Sequence, residues 1–597
     1  MAAEDTPTPT QHVWTRLYPA GVGEASAIHD ESTAHAWNDR VEAYPDQTAV
    51  TYRGRTFTTT DIDREAEALA TGFLARGLQK SSIVGVYLQN VPQFAVALLA
   101  AWKIGVVPLV LNPMYRGREL RALVDDSAAS AIICDEADLD QVRETLTGSS
   151  LTWVLTTDDD EYDRDPADFT GNIQTADLSG NTQAAAAAHP GNTLTQAAAH
   201  DAGITVDSWG GFLAAHRTEA FAGRADAPNH RTDLLPGLDD AALLTYTSGT
   251  TGPAKGAVGT HRNVLAVARS YGAWMNLGEG DVMLAIAPLF HITGAVACAA
   301  TSLIFPITLD FIGRVNANKI VTAIRDDKVT VTIGSITVYN ALLEHETATS
   351  DDLMSIRCLY SGGAPVPPAT VERFRNRFGH YIHNIYGMTE TASAVIGVPP
   401  NTEAPVDPAT DTLAVGVPFP GLEARIVDVA DGTVVTDATA GELELRGPQI
   451  TPGYLGRPEA DEAAFDDGWL RTGDVGVMDD AGWIYLVDRI KDQINASGYK
   501  VWPREVEDVL YEHPAVLEAA VVGQPDDYRG ETVVAYVSLR AGQSASADEL
   551  IAFAKERLAA YKYPRIVHVM SDLPKTHTGK IQRRLLRDSG RETTAEN

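Results

Sequence analysis

Lysine is scarce in this chain, with 11 in 597 residues. Basic residues as a whole are outnumbered: 47 Lys and Arg stand against 80 Asp and Glu, for a formal net charge of −33. Such a surface repels polyanions, which argues against nucleic acid or an anionic membrane as partner. Cysteine is nearly absent. Cys134, Cys298 and Cys358 are isolated among apolar neighbours, which excludes a disulfide framework and any thiolate metal spacing. Buried free thiols in a reducing cytoplasm are expected. No secretory leader is expected either, because the opening Met1-Ala2-Ala3-Glu4-Asp5 has no basic start and no apolar core. The longest uncharged stretch, Val282 to Leu309, is cut by Pro288, His291, Gly294 and Pro306. The pieces are shorter than the ~20 apolar residues of a membrane helix, so buried strand, loop and helix are expected there. An acid-rich, lysine-poor composition suits solubility at molar salt, where the Debye length falls to about 3 Å. Extreme halophily is the expectation.

What is present is ample core material, 44% hydrophobic residues, in a chain long enough for more than one domain. After an irregular segment, 1–30, helices and strands alternate. Ala34–Tyr44 is predicted helical, and a strand runs to Tyr52 with a hairpin turn at Arg53-Gly54-Arg55. Thr59–Gly77 and Pro92–Ile104 follow as helices, with strands at Ile83–Leu88 and Val106–Leu111 between and after them. This alternation predicts an α/β fold, sheets flanked by helices. Residues 157–235 break the pattern: they are rich in Asp, Asn, Gly, Thr and Ala, and read as an acidic insertion or surface loop. Alternation resumes from Asp239, with a helix expected over Gly313–Arg325. A boundary falls near Asp488. The expected units are a large domain, 31–488, a small α+β domain, 489–587, and a tail, 588–597.

Chemistry concentrates in Tyr246-Thr247-Ser248-Gly249-Thr250-Thr251-Gly252-Pro253-Ala254-Lys255-Gly256. An apolar strand, Ala241–Leu244, leads into it. Glycines let successive N–H groups converge on an anion, hydroxyls add donors and Lys255 adds charge. This is a phosphate-gripping loop, but not the Gly-Lys-Ser/Thr loop of many nucleotide hydrolases, since Ala254 precedes Lys255 and Gly256 follows it.

Other strings recur in order: Pro288-Leu289-Phe290-His291, Ser361-Gly362-Gly363-Ala364-Pro365, Tyr386-Gly387-Met388-Thr389-Glu390, Arg471-Thr472-Gly473-Asp474, Asp488-Arg489-Ile490-Lys491, Ser497-Gly498-Tyr499-Lys500 and Thr578-Gly579-Lys580. Together with the loop they resemble the adenylate-forming superfamily of acyl-CoA synthetases, luciferases and peptide-synthetase adenylation domains. The resemblance spans the chain except the 157–235 stretch.

The resemblance implies a large domain plus a small mobile one, and a two-step reaction. ATP converts a carboxylate to an acyl-adenylate and pyrophosphate, and a thiolate of coenzyme A then displaces AMP. It implies that Thr247, Ser248, Thr250, Thr251 and Lys255, with the backbone of Gly249 and Gly252, hold the β- and γ-phosphates. Thr389 serves the α-phosphate, and Glu390 holds Mg²⁺. Tyr386 and Gly387 face adenine opposite Gly363, Ala364 and Pro365, while Asp474 serves the ribose hydroxyls and Arg489 contacts phosphate or ribose. Lys580 is implied as the catalytic lysine between carboxylate and α-phosphate. Lys491 is the implied hinge, and Gly498 and Lys500 would approach CoA after a domain swing.

The acid-binding pocket is expected along His291–Cys298, Ser335–Leu343 and Tyr386–Ala394, with Ser335, Val338 and Ala392 as wall residues and His291 either a gate to the pocket or a packing residue. Glu390 is the only ionised side chain in those stretches. A charged substrate tail would lack a partner there, so the expected substrate is a medium- or long-chain fatty acid. An aryl or short-chain acid is the competing expectation. A catalytically silent nucleotide sensor and a luciferase-like oxidase are more remote. A monomer or homodimer is expected.

Overall fold

The computed structural model describes residues 12–25, 28–162, 204–222, 234–247, 254–364, 366–408, 412–489, 492–496, 499–526, 530–576 and 581–587. Two large sheets dominate the N-terminal part. The first has seven strands, in the order Thr205–Ser208, Trp153–Thr157, Ala131–Asp135, Ile83–Tyr87, Val107–Val110, Ala241–Tyr246 and Gly256–Thr260. Every neighbouring pair is parallel except the last. The second has nine strands. Its parallel centre runs from Ile382–Met388 through Cys358–Ser361, Val331–Gly334, Val282–Leu284 and Thr308–Phe311 to Thr48–Tyr52. Antiparallel strands complete both sides, Ser393–Gly397 and then the short edge strand Val417–Pro418 on one and Arg55–Thr58 on the other.

Parallel strands must be covered on both faces, which is why they read as unbroken apolar runs. The helix Pro92–Lys103 is buried along its whole length. The helices Thr59–Ala75 and His261–Met275 each begin with a capping box, Thr58 with Asp61 and Thr260 with Asn263. These boxes satisfy free amides at the helix starts. The uncharged stretch beginning at Val282 is interior, as expected. It runs through a short strand, a π-helix Thr293–Ala300, a helical turn Thr301–Ile304 and a second strand. Among the described residues no helix is long and apolar enough to cross a membrane. All three cysteines are buried and free.

Two expectations change. Part of the supposed insertion belongs to the core: Thr205–Ser208 is the edge strand of the seven-stranded sheet, parallel to Trp153–Thr157. The helix Trp209–Ala222 packs on Thr59–Ala75, with Trp209 buried and Arg217 paired to Glu65. The sequence shows a period from about Val206 to Ala215, but its low-complexity surroundings drew it into the supposed insertion. The rest of that stretch, 163–203 and 223–233, lies outside the described residues. The helix expected from Gly313 starts at Ala317, because Asn316 caps it by accepting the Lys319 amide at 3.0 Å.

A third, antiparallel sheet carries Glu423–Val427, Gly441–Arg446, Trp469–Met478 and Ile484–Arg489. After it comes a five-stranded sheet with the helices Pro503–Tyr511 and Ala547–Lys555, around a separate core of residues such as Val506, Val521 and Val537. At the junction the Arg583 guanidinium is bidentate on Glu507, at 2.6 and 3.1 Å, and lies 3.5 Å from both Asp488 and Asp492. Burial pushes the Asp488 carboxyl up to about 6, against the pull of Arg583.

Candidate functional site

Ligand sites in open parallel sheets lie beyond the carboxyl ends of the strands. Both large sheets present their glycine-bearing turns there. Ala241–Tyr246 ends at Thr247, whose N–H donates to the Lys255 carbonyl at 2.9 Å. The two residues thus close the neck of the phosphate loop. Residues 248–253, including Ser248, Gly249, Thr250, Thr251 and Gly252, lie outside the described residues. In the second sheet Cys358–Ser361 ends at Gly362-Gly363-Ala364, and Ile382–Met388 ends at Thr389-Glu390.

The glycines have separate reasons. A Cβ at Gly387 would lie 2.1 Å from the Ser393 carbonyl oxygen, so the neighbouring antiparallel strand forbids any side chain there. Gly363 has φ +78° and open space where a Cβ would be. Its requirement is backbone conformation.

At the phosphate end, Glu390 is 6% exposed and accepts a hydrogen bond from the Tyr454 hydroxyl at 2.6 Å. The Lys255 ammonium stands 4.8 Å from the centre of the same ring. Tyr454 escaped the sequence reading. It sits 64 residues from Glu390, and only a Gly-Tyr pair in Pro452-Gly453-Tyr454-Leu455 marks it. Its segment is sewn in by the Val258 amide on the Gly453 carbonyl, 3.1 Å, the Leu455 amide on Gly256, 2.8 Å, and the Thr451 amide on Glu390, 2.8 Å.

At the other end, Trp469–Met478 and Ile484–Arg489 run antiparallel with Asp474 opposite Arg489. The register makes the ion pair: Arg489 Nε is 3.0 Å from Asp474 Oδ1. Tyr386 donates its hydroxyl to Asp474 Oδ2 at 2.6 Å. Burial, then the charge of Asp474, hold the Tyr386 phenol well above its usual range, so it remains a donor. Asp474 in turn raises the Arg489 guanidinium further. The sequence-predicted Tyr386, Asp474 and Arg489 are therefore one connected group, and Lys255 and Glu390 are joined through Tyr454.

The acid-pocket residues are less uniform. His291 is half-buried and starts the turn into the π-helix, its Nδ1 accepting the Thr293 amide at 3.3 Å. Ser335 is half-buried at the start of the helix Ile336–Leu343 and its hydroxyl meets that of Thr337 at 2.6 Å. Val338 is partly buried against the main core. Ala392 has no exposed surface and a φ of +51°. Pro365, Lys491, Gly498 and Lys580 lie outside the described residues. Lys500 falls in the strand Tyr499–Val501.

The donor set fits Mg²⁺. No cluster of three or more His, Cys, Asp or Glu able to hold a metal exists among the described residues. Mg²⁺ commonly uses one or two carboxylates, with substrate phosphates and water completing the shell. Tyr454 donates to Oε1 of Glu390, and the carboxylate would be the protein's ligand to such an ion.

The family model for AMP-binding enzymes matches residues 37–455, and that for the AMP-binding enzyme C-terminal domain matches residues 505–580. The chain is 32% identical over 584 residues to a long-chain-fatty-acid–CoA ligase of Bacillus subtilis (strain 168), covering 97% of this chain and 98% of that protein. It is 31% identical over 542 residues to a feruloyl-CoA synthase of an Amycolatopsis species, covering 91% and 96%. Among solved structures, ATP-bound MatB from Rhodopseudomonas palustris superposes with a TM-score of 0.76 at 26% identity, over 94% of this chain and 99% of that one. Placed on this fold and this connected pair of sites, the match over more than half its length means that the chain belongs to the AMP-binding enzyme family.

Proposed function

We propose that the chain is an ATP-dependent acid–thiol ligase. It activates a medium- or long-chain fatty acid as the acyl-adenylate with release of pyrophosphate. It then transfers the acyl group to coenzyme A and releases AMP. The observation that carries this reading is the end-to-end likeness to a long-chain-fatty-acid–CoA ligase, 97% of this chain on 98% of that protein. The uncharged character of the stretches assigned to the acid pocket supports an aliphatic substrate. The likeness to a feruloyl-CoA synthase keeps an aryl acid as the second reading.

A carboxylate attacks phosphorus only when charge is neutralised and the groups are held in line. In this reading Thr247, Lys255 and the loop between them hold the β- and γ-phosphates, with Thr389 at the α-phosphate. Mg²⁺, held by Glu390, supplies charge neutralisation for the polyphosphate. Tyr386, Gly387 and the Gly363-Ala364-Pro365 turn hold adenine. Asp474, already neutralised by Arg489, accepts the ribose hydroxyls. Lys580 carries the transition-state charge between carboxylate and phosphate. Lys491, flanked by Asp488 and Asp492, is the pivot that exchanges Lys580 for Gly498 and Lys500 beside CoA. The enzyme divides there into domains 31–488 and 489–587.

Acid-dependent exchange of labelled pyrophosphate into ATP, run without CoA, tests the first half. Exchange with fatty acids supports the reading. No exchange with any carboxylic acid, while ATP still binds, would leave a nucleotide sensor instead. The acidic composition adds a condition: the fold should persist in molar KCl and weaken on dialysis to low salt, followed by circular dichroism.

A further inference from the structure

We propose that Tyr454 is a positioning residue that keeps the phosphate-binding lysine and the metal-binding carboxylate apart and aims both. The inference rests on the roles given above to Lys255 and Glu390. The two groups have opposite charges and lie on the same tyrosine. Left in contact, an ammonium and a carboxylate would pair, and each would be spent on the other. Neither would then be ready for a phosphate or a metal ion.

Tyr454 separates them by using its two ends differently. Its hydroxyl gives Glu390 Oε1 a hydrogen bond of 2.6 Å, which fixes the carboxylate without cancelling its charge. Its ring face holds the Lys255 ammonium at 4.8 Å. That attraction comes from the ring quadrupole and is weaker than a buried ion pair, so a phosphate can take the lysine away. Among the described residues neither Lys255 nor Glu390 makes a salt bridge.

The device is rigidly mounted. Tyr454 is 8% exposed, and its own amide donates to Asp461 at 2.7 Å. The flanking bonds of Gly453 and Leu455 tie it to the strand that leaves the phosphate loop. Three residues on, Arg457 pairs with Asp126, and Asp126 accepts the hydroxyl of Tyr246 at 2.7 Å. The 451–457 segment therefore holds both ends of the loop, at Tyr246 and at Gly256. The tyrosine is placed by the same backbone that places its two clients.

Calorimetric titration of the full-length protein tests this with AMP alone, and with ATP at a series of Mg²⁺ concentrations. AMP lacks the β- and γ-phosphates and serves as the internal control. Tyr454→Phe keeps the ring and loses the hydroxyl. It should raise the Mg²⁺ concentration for half-maximal ATP binding about tenfold, the effect of one lost hydrogen bond to a charged group, with AMP affinity within about twofold of wild type. Tyr454→Leu loses both contacts and should weaken ATP binding at saturating Mg²⁺ by a further factor of about ten, AMP again unchanged.

Wild-type ATP and Mg²⁺ behaviour in both variants would overturn the proposal. So would equal losses for AMP and ATP, the mark of a purely structural residue. If Tyr454→Leu fails to fold, the Mg²⁺ shift in Tyr454→Phe decides alone. Failure of the wild-type protein to bind either nucleotide would instead overturn the reading of the site itself, and this inference with it.

Discussion

The two ends of the candidate site are built from the same three parts in different order. Each has a buried carboxylate accepting a tyrosine hydroxyl at 2.6 Å, Glu390 from Tyr454 and Asp474 from Tyr386. Each has a cation. At Asp474 the cation, Arg489, is on the carboxylate itself at 3.0 Å. At Glu390 the cation, Lys255, is on the tyrosine ring. The placement decides the chemistry. Asp474 is neutralised and is left with hydrogen-bond acceptor capacity, which suits sugar hydroxyls. Glu390 has no cation on its own oxygens among the described residues, which suits a metal ion, and Lys255 rests on a ring face rather than a carboxylate, which suits phosphate. A third buried carboxylate extends the series. Asp310 is 1% exposed, accepts from Thr51 at 2.7 Å, and has no cation among the described residues. With no cation to offset it, burial pushes its carboxyl up to about 7.

The comparison breaks most sharply at Glu390. Glu390→Gln keeps a partner for Tyr454 and removes the charge. The adenylation rate should fall by about 10³, the scale for losing one preorganised electrostatic group, and its Mg²⁺ dependence should flatten. Asp474→Asn removes a charge that is already compensated. Its effect should be smaller, about tenfold to a hundredfold, and appear mainly as a higher KM for ATP. Equal effects of the two substitutions in exchange assays would refute the contrast.

Arg489→Met sharpens the same point from the other side. It leaves Asp474 an uncompensated buried carboxylate close to a polyanion, so the KM for ATP should rise by about tenfold or more. Tyr386→Phe should cost least within the site, up to about tenfold in KM, because one hydrogen bond to a charged group is lost.

Asp310 gives the smallest effect, seen in stability rather than catalysis. Its folded value of about 7 lies above the ordinary 3.8. The folded state therefore keeps a proton that the unfolded chain releases from about pH 4, and stability falls as pH rises from 4 to 7 before levelling. Asp310→Asn removes that slope. Melting temperatures should move in favour of the variant as pH rises from 5 to 7, and parallel curves would contradict the assignment.

Much of this was legible in the sequence, and the exceptions have physical reasons. Glycine-bearing turns after apolar strands marked Thr247, Gly363, Thr389 and Glu390, because phosphate chemistry and sheet topology both act on local sequence. Asp474 and Arg489 were marked as separate motifs, but that they pair follows from a strand register that no local pattern displays. Tyr454 stayed hidden for the same reason, since both its contacts are tertiary. The strand Thr205–Ser208 and the helix after it were masked by their low-complexity surroundings, although Trp209 buries fully.

The measurement that bears most directly on the account is product formation from ATP, Mg²⁺ and CoA in molar KCl, with acids from C2 to C18 and benzoate. The account predicts AMP and acyl-CoA in equal amounts, strictly dependent on CoA, with a maximum at a medium or long aliphatic chain. A benzoate optimum, or AMP release that ignores CoA, would contradict it.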